Sequence, residues 1–126
     1  MKYLMLAYTQ ISGWDDMDPT SAEFIAACEF YEELGKELTA TGELVTTEGL
    51  AHPALTRVVR KGPDGAVAVD GPYAEAKEVA ASFAIVDVAS HDRAMEIAAR
   101  IVDALGEPIE VRPISAGPEE SMPPAP

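Results

Sequence analysis

The stretch VDGPYAEAKE, residues 69–78, places a tight turn, a tyrosine and four charged side chains directly before an apolar run. The charged residues are Asp70, Glu75, Lys77 and Glu78. Carboxylates, an ammonium group and a phenol in one segment can bind a small polar molecule or transfer protons. In a helical turn, Glu75 and Glu78 would share one face, which is unfavourable unless a cation lies between them.

The DGP turn also has a purely structural interpretation. Asp70 can accept backbone N–H bonds, Gly71 can adopt a positive φ, and Pro72 fixes its own φ. The charged residues that follow would then form a solvated connection. The alternative is a polar pocket, in which Arg112 from the last predicted strand joins the charged groups of the turn.

Two histidines and one cysteine are the other chemically reactive residues. His52 is the best acid/base candidate because imidazole titrates near neutral pH; the competing interpretation is a loop residue without a role. His91 is expected at the surface of a helix, and Cys28 is expected in the core, where thiols are usually inert. Their spacing matches no metal site, so neither a metal nor a cofactor is predicted. Carboxylates converging at the DGPY turn are an alternative means of holding a cation.

Hydrophobic periodicity and turn residues predict the element order β-α-β-β-β-β-α-β. The first helix starts at Asp18 or at a capping box from Thr20, and it ends at Gly42. Ser90 begins the second helix and Gly106 ends it. The predicted strands cover residues 2–9, 43–50, 54–61, 66–70, 82–89 and 108–114.

Without its middle hairpin, this order is the split βαβ plan of a ferredoxin-like fold, an α+β architecture. Both helices then cover one face of an antiparallel sheet. The first helix would bury Phe24, Ala27, Cys28, Tyr31, Leu34 and Leu38, and the second Ala94, Ile97, Ala98, Ile101, Val102 and Leu105. No third helix is predicted, so a second subunit is expected on the other face, which predicts a homodimer.

Composition limits the compartment and the partners. The 126 residues fit one domain, and 9 basic against 22 acidic residues give a net charge of −13. Such a surface repels phosphate backbones and anionic lipid, so neither nucleic acid nor a membrane is expected as a partner. A cytoplasmic location is predicted because the start of the chain lacks a signal-peptide pattern and one cysteine cannot form an internal disulfide. The acidic, proline-rich residues 115–126 are predicted to be disordered, which leaves a domain over 1–114.

Five segments, in order, resemble the DGPF family, a branch of the YCII-related proteins. They are MKYLMLAY (1–8), GELVTTEGL (42–50), DGPYAEAKE (70–78), SFAIVDV (82–88) and EVRPI (110–114). The resemblance spans residues 1–114. It implies a dimeric α+β barrel, in which two ferredoxin-like units pack sheet to sheet.

The chain departs from the family pattern at several positions. Tyr73 stands for the usual Phe, Ala76 for Thr, and Ala81-Ser82 replaces the usual Gly-Gly before Phe83. Side chains at the two glycine positions narrow any close approach by a ligand or backbone. Classical YCII proteins resemble enzymes with a His-Asp pair early in the chain. No histidine lies there in this sequence, so that chemistry is not expected to carry over.

The sequence therefore predicts a small-molecule or acid/base site at the DGPY turn of a YCII-related dimer. Asp70 and His52 would be catalytic, and the ligand-binding residues would be Tyr73, Glu75, Lys77, Glu78 and Arg112. The resemblance also implies an alternative, an accessory protein of sigma-factor-type transcription control, whose acidic surface contacts a basic protein partner. A structural dimer without catalysis is the third hypothesis. The sequence leaves open whether the protein is an enzyme.

Overall fold

The computed structural model describes residues 1–72 and 77–123, which form a mixed α+β fold. The strands are β1 (Lys2–Gln10), β2 (Leu44–Gly49), β3 (Arg57–Gly62), β4 (Gly65–Asp70), β5 (Glu78–Asp87) and β6 (Ile109–Pro113). The α-helices are α1 (Ile11–Asp15), α2 (Ala22–Ala40) and α3 (His91–Leu105). Short 3-10 turns cover Pro53–Leu55 and Pro118–Ser121. The order matches the prediction except for α1, which lies in a segment expected to be a loop.

Four strands form an antiparallel sheet in the order β2-β5-β1-β6, and β3 pairs with β4 in a separate hairpin. The central strands β1 and β5 pair from Lys2–Asp87 to Gln10–Glu78. Their register shifts between Ala7, which pairs with Ser82, and Tyr8, which pairs with Ala80. Ala81 is therefore the extra residue of a β-bulge on β5.

The core lies between one sheet face and the helices α2 and α3. Its buried members are Tyr3, Met5, Leu34, Leu38, Val86, Val88, Ala94, Ile97, Ala98 and Ile101. Four of the six residues of the predicted α3 stripe, Ala94, Ile97, Ala98 and Ile101, are buried, and Val102 and Leu105 are half-buried. The hydrophobic burial of these aliphatic side chains is the main stabilising term of the domain.

The predicted stripe of α2 is only partly correct. Leu34 and Leu38 are buried, but Tyr31 is exposed, and so is Cys28, which was expected in the core. The first half of α2 stands away from the sheet above a cavity, so helical periodicity there does not lead to burial. Helical spacing predicts which side faces the sheet, not how closely the helix approaches it.

The other sheet face carries the alternate side chains of the central strands. Leu4 and Leu6 of β1 and Phe83 and Ile85 of β5 point away from the helices, because neighbours along a strand alternate. All four are half-buried in the single chain. We call these four residues the open face.

The start of α2 corrects the capping prediction. The Ser21 hydroxyl accepts the Phe24 N–H at 3.1 Å, so Ser21 is the N-cap. Asp18 instead accepts both the backbone N–H and the hydroxyl of Thr20, at 2.9 and 2.6 Å, within the preceding turn. The predicted starts at Asp18 and Thr20 are therefore wrong, because these two residues satisfy each other.

The remaining helix ends follow the prediction. Ser90 caps α3 by accepting the Arg93 N–H at 3.1 Å. Gly42 and Gly106 follow the two long helices, each with φ of 78°. This left-handed conformation explains why glycine stands at both positions.

The hairpin begins later than predicted, since residues 53–55 form a 3-10 turn before β3. Arg57 stabilises the open end of the hairpin. Its Nη1 donates to the carbonyls of Ala54 and Thr56, and its Nε lies 3.5 Å from Asp70 Oδ1. Gly71 closes the hairpin by donating its N–H to the Thr56 carbonyl at 3.1 Å.

Gly71 is required for space rather than for the predicted positive φ. The glycines with positive φ are Gly42, Gly65 and Gly106 among the described residues. A Cβ on Gly71 would lie 2.9 Å from Thr56 Cγ2 and 3.0 Å from Val58 Cγ2. Both methyl groups belong to stiff β-branched side chains, which cannot rotate away freely.

The tail was expected to be disordered from residue 115 onward. Residues 118–121 form a 3-10 turn, while the predicted disorder of the tail stays a prediction. Across the described ranges, no helix combines the length and the apolar character needed to cross a membrane.

An ion pair joins α3 to the start of β2. Arg93 binds Glu43 through two hydrogen bonds of 2.9 Å, from Nε to Oε2 and from Nη2 to Oε1. Thr41 donates its hydroxyl to the same carboxylate at 2.8 Å. These bonds, first those from Arg93 and then that from Thr41, lower the pKa of Glu43 from 4.5 to about 2.

Replacing Gly71 by alanine is expected to lower the free energy of unfolding by about 1–3 kcal/mol, because the new methyl group overpacks against Thr56 and Val58. Urea unfolding at pH 7 measures the change. Gly49→Ala is the matched control, because a Cβ at Gly49 has open space and Gly49 ends β2 much as Gly71 follows the end of β4. Thr56→Ser removes one clashing methyl group and should recover part of the loss; equal stability of the two alanine variants would contradict the explanation.

Replacing Glu43 by glutamine is expected to lower the free energy of unfolding at neutral pH by about 1–3 kcal/mol, since a charged pair of hydrogen bonds is lost. A depressed carboxyl pKa stabilises the fold above its ordinary value of 4.5, and this contribution is lost as pH falls toward about 2. The difference between wild type and Glu43→Gln should therefore shrink between pH 5 and pH 2 in urea unfolding. Glu33→Gln, at a largely exposed position, should change little; a difference that is constant with pH would exclude this role for Glu43.

Candidate functional site

The DGP turn, α1 and the His52 loop meet at one end of the sheet. This end, which we call the turn end, is marked by Gln10, Gly49 and Glu78. The Ile11 N–H donates to the Lys77 carbonyl at 3.0 Å, which ties α1 to the segment after the turn. The Leu50 N–H donates to the Ala81 carbonyl at 2.8 Å, which sets where the His52 loop leaves the sheet.

A histidine, an aspartate and a tryptophan lie together at the turn end. His52 Nε2 is 3.4 Å from Asp15 Oδ1. The ring of Trp14 meets the His52 ring edge-on, with 5.6 Å between the ring centroids. The side chains of His52 and Asp15 are 44% and 74% exposed, so a small molecule in solution can reach both.

The hydrogen bonds of His52 define what its imidazole can do. Nδ1 accepts the Ala54 N–H at 3.0 Å and caps the 3-10 turn, so the proton of the neutral ring lies on Nε2. Nε2 can then donate toward Asp15, although 3.4 Å is longer than a usual N–H···O bond. The geometry favours a hydrogen-bond or proton donor over a general base, because a base needs the lone pair that Ala54 occupies.

Trp14 supplies a second donor beside this pair. Its Nε1 is shielded from solvent and has no hydrogen-bond partner within the described part of the chain. A shielded N–H without an acceptor is destabilising by about 1–3 kcal/mol, so an acceptor brought by a ligand would be bound favourably.

A further polar cluster lies at the same end, on the side of the open face. The Tyr8 hydroxyl donates to Glu110 Oε2 at 2.9 Å. This hydrogen bond, then burial, then the charges of Glu110 and Glu78, raise the pKa of Tyr8. The hydroxyl therefore stays protonated at neutral pH and acts as a donor.

The residues predicted for the site divide between the two ends of the sheet. His52, Lys77 and Glu78 lie at the turn end, with Lys77 and Glu78 exposed. Asp70 closes β4 and faces Arg57, with its side chain 90% exposed. Arg112 pairs with Leu4, six residues along β1 from Gln10, which at about 3.3 Å per residue is roughly 20 Å from the turn end. Tyr73 and Glu75 lie outside the described residues.

Sequence reasoning missed Asp15 and the Tyr8–Glu110 pair. Asp15 follows Trp14 in a stretch interpreted as a loop, and nothing local indicates that residue 52 returns to it. Tyr8 and Glu110 are 102 positions apart, and their contact depends on the β1–β6 register. The early His-Asp chemistry of classical YCII proteins was not expected to carry over, because no histidine lies early in the sequence. That expectation stays a prediction, although the fold brings His52 Nε2 to 3.4 Å from Asp15 Oδ1.

A metal centre does not emerge from the geometry. No group of three His, Cys, Asp or Glu side chains in ranges 1–72 and 77–123 is arranged to hold a metal ion. The site described here is therefore built from hydrogen-bond donors and single carboxylates.

Comparison with known proteins assigns the chain to a family without assigning an activity. No curated protein matches it. The family model of the YCII-related domain matches residues 1–116, which is nearly the whole described chain and includes both the sheet and the turn end. The chain therefore belongs to the YCII-related domain family.

Proposed function

We propose that the turn end binds a small carbonyl compound and donates a proton or hydrogen bond to its oxygen. The shielded Trp14 Nε1–H beside the His52 ring carries this proposal. Trp14 Nε1–H lacks an acceptor within the described residues, and the long 3.4 Å contact of His52 Nε2 with Asp15 leaves that second N–H able to donate to a ligand instead. Paired donors aimed at one oxygen polarise a carbonyl.

Asp15 supports the donor role of His52. The Asp15 carboxylate lies 3.4 Å from Nε2 and so favours the tautomer that carries its proton on that nitrogen. The exposed side chains of Lys77, Glu78 and Asp70 border the same end and would contact the rest of the ligand. Because this border carries both signs of charge, an uncharged carbonyl compound fits it best.

We further propose that the chain is a ferredoxin-like protomer and that two chains pack open face to open face as a dimeric α+β barrel. The strand order β2-β5-β1-β6, with α2 and α3 on one side, has the connections of a split βαβ unit once the hairpin is set aside. Leu4, Leu6, Phe83 and Ile85 form an apolar surface on the side without these helices. With a net charge of −13, self-association needs such an uncharged contact surface.

The ligand-binding proposal is tested by the fluorescence of Trp14, the single tryptophan of the chain. Titration with N-methylpyrrolidone, an uncharged carbonyl compound, should change the emission saturably. His52→Phe should weaken binding by about fivefold or more because the Nε2 donor is lost. His91→Phe is the matched control, since it removes the other histidine, whose ring contacts Tyr3 instead.

Proton donation is tested separately by the exchange of acetone methyl hydrogens for deuterium in D2O, followed by NMR. Wild type should accelerate exchange more than His52→Phe does. A fluorescence change that does not saturate, or that is identical in the His52 and His91 variants, would overturn the binding site. Saturable binding without faster exchange would restrict the site to binding.

The dimer is tested by sedimentation velocity. Wild type is expected to be a dimer at micromolar concentration, and Leu6→Glu is expected to be a monomer because it places charge at the centre of the open face. Ile25→Glu introduces the same charge at an exposed position of α2 and should leave the dimer intact. Far-UV circular dichroism verifies that both variants are folded. A monomeric wild type, or equal behaviour of the two variants, would exclude packing through the open face.

A further inference from the structure

A cavity of about 670 Å³ lies between the first half of α2, the end of α3 and the sheet. Both layers line it with small or apolar residues, among them Ala7, Ala26, Ala27, Phe30, Ala81 and Ala104. It lies on the helix side of the sheet and so is separate from the open face. The turn-end residues Trp14, Asp15 and His52 do not line it.

The size of the side chains explains why the cavity stays open. Leu34 and Leu38 in the second half of α2 reach the sheet and are buried. About two turns before Leu34, the corresponding face of α2 carries Ala27, and the sheet opposite carries Ala81. Methyl groups on both sides cannot span the distance that the leucines span, so a space that solvent can enter remains here.

A second cavity of about 270 Å³ adjoins the first. The two share Tyr31, Ser82 and Ile101 as lining residues, so they form one elongated space under α2. Tyr31 and Ser82 place two hydroxyls where the two parts meet. Burial raises the pKa of Tyr31, and a hydrogen bond with Ser82 opposes the rise.

The charges around this space have one sign. Glu23 and Glu107 line the larger part, both exposed to solvent, and Glu48 lines the smaller part. Among the described residues that line either part, none is Lys, Arg or His. Carboxylates at the border of an apolar space attract a cation and repel an anion.

We infer that this space is a binding site for a cationic amphiphile, an organic ammonium compound with an aromatic or hydrocarbon body. The body fills the space between Ala27 and Ala81 and removes apolar surface from water. The ammonium group lies toward Glu23 and Glu107, and the hydroxyls of Tyr31 and Ser82 provide the polar contact in the interior. The volume matches that of sites for drug-sized molecules. This site is independent of the function proposed for the turn end.

The test is calorimetric titration of the intact chain with three probes that share one body and differ in charge. They are 1-naphthylmethylammonium, 1-naphthalenemethanol and 1-naphthoate. The ammonium compound should bind about threefold to tenfold more tightly than the alcohol, and the carboxylate should bind more weakly than either. Glu23→Gln combined with Glu107→Gln should bring the ammonium compound to the affinity of the alcohol.

Cavity-filling variants separate the site from general attraction of cations to an acidic protein. Ala27→Phe and, from the other helix, Ala104→Phe should each weaken binding by at least about tenfold, because the new ring occupies the space. Ala40→Phe is the matched control on an exposed position of α2 that does not line the cavity. Trp14 fluorescence should not respond to the probes.

Equal affinity for the ammonium compound in wild type, Ala27→Phe and Ala104→Phe would overturn the site and indicate surface attraction alone. Tighter binding of naphthoate than of the ammonium compound would overturn the assigned ligand class. If one of these two variants fails to fold, the other still tests the site, because the two substitutions lie on different helices and fill the same space. Failure of N-methylpyrrolidone binding at the turn end would not affect either result.

Discussion

The antiparallel pairing of β1 with β5 is the constraint on which the rest of the structure depends. It runs from Lys2–Asp87 to Gln10–Glu78, and both outer strands attach to it. Because side chains alternate along paired strands, this register decides which residues meet the helices and which form the open face. The register also determines which segments meet at the turn end, because α1 follows Gln10 in the chain and β5 begins at Glu78 after the DGP turn. A slip of one residue would exchange the two faces and separate α1 from Lys77.

The bulge in this pairing connects the sheet to the spaces around it. Ala81 is the extra residue on β5, its carbonyl accepts the Leu50 N–H, and its neighbour Ser82 lines both cavities. Farther along, from Ala7 to Lys2 of β1, the pairing with β5 is regular, and there the leucines of α2 pack onto the sheet. The Arg93–Glu43 ion pair fixes the start of α3 to the start of β2. The helix layer is therefore held firmly at one end and stands off the sheet at the end where the bulge lies.

The sequence predicted those features that depend on local pattern. Apolar runs indicated the strands, the 3.6-residue period indicated the buried face of α3, and Gly106 indicated its end. Cys28 was wrongly expected in the core, because helical periodicity shows which side of α2 faces the sheet but not how close the helix lies to it. Gly71 was expected to adopt a positive φ, whereas the constraint there is space: the methyl groups of Thr56 and Val58 come from the segment that opens the hairpin and leave no mark in the sequence of the turn itself.

The candidate site shows the same division between local and long-range information. His52, Lys77 and Glu78 were named from residue type, and the register places all three at one end of the sheet. Arg112 was grouped with them because β6 belongs to the same sheet. Membership of a sheet does not define a position along the strands, however, and the pairing of Arg112 with Leu4 places it at the far end of the sheet. Asp15 could not be inferred from spacing, because its partner His52 reaches it only through the loop that follows β2.

The two proposed binding regions of this domain differ in charge and in shape. The turn end is polar, mixed in charge and bordered by exposed side chains, whereas the space under α2 is apolar with carboxylates alone at its border. In the family pattern that this chain resembles, glycines stand at positions 81 and 82. Two glycines there would widen the space and remove the Ser82 hydroxyl that meets Tyr31. Ala81 and Ser82 therefore both narrow this space and give it a polar contact, so in the proposed site the bulge of β5, rather than the DGP turn, would set the selectivity.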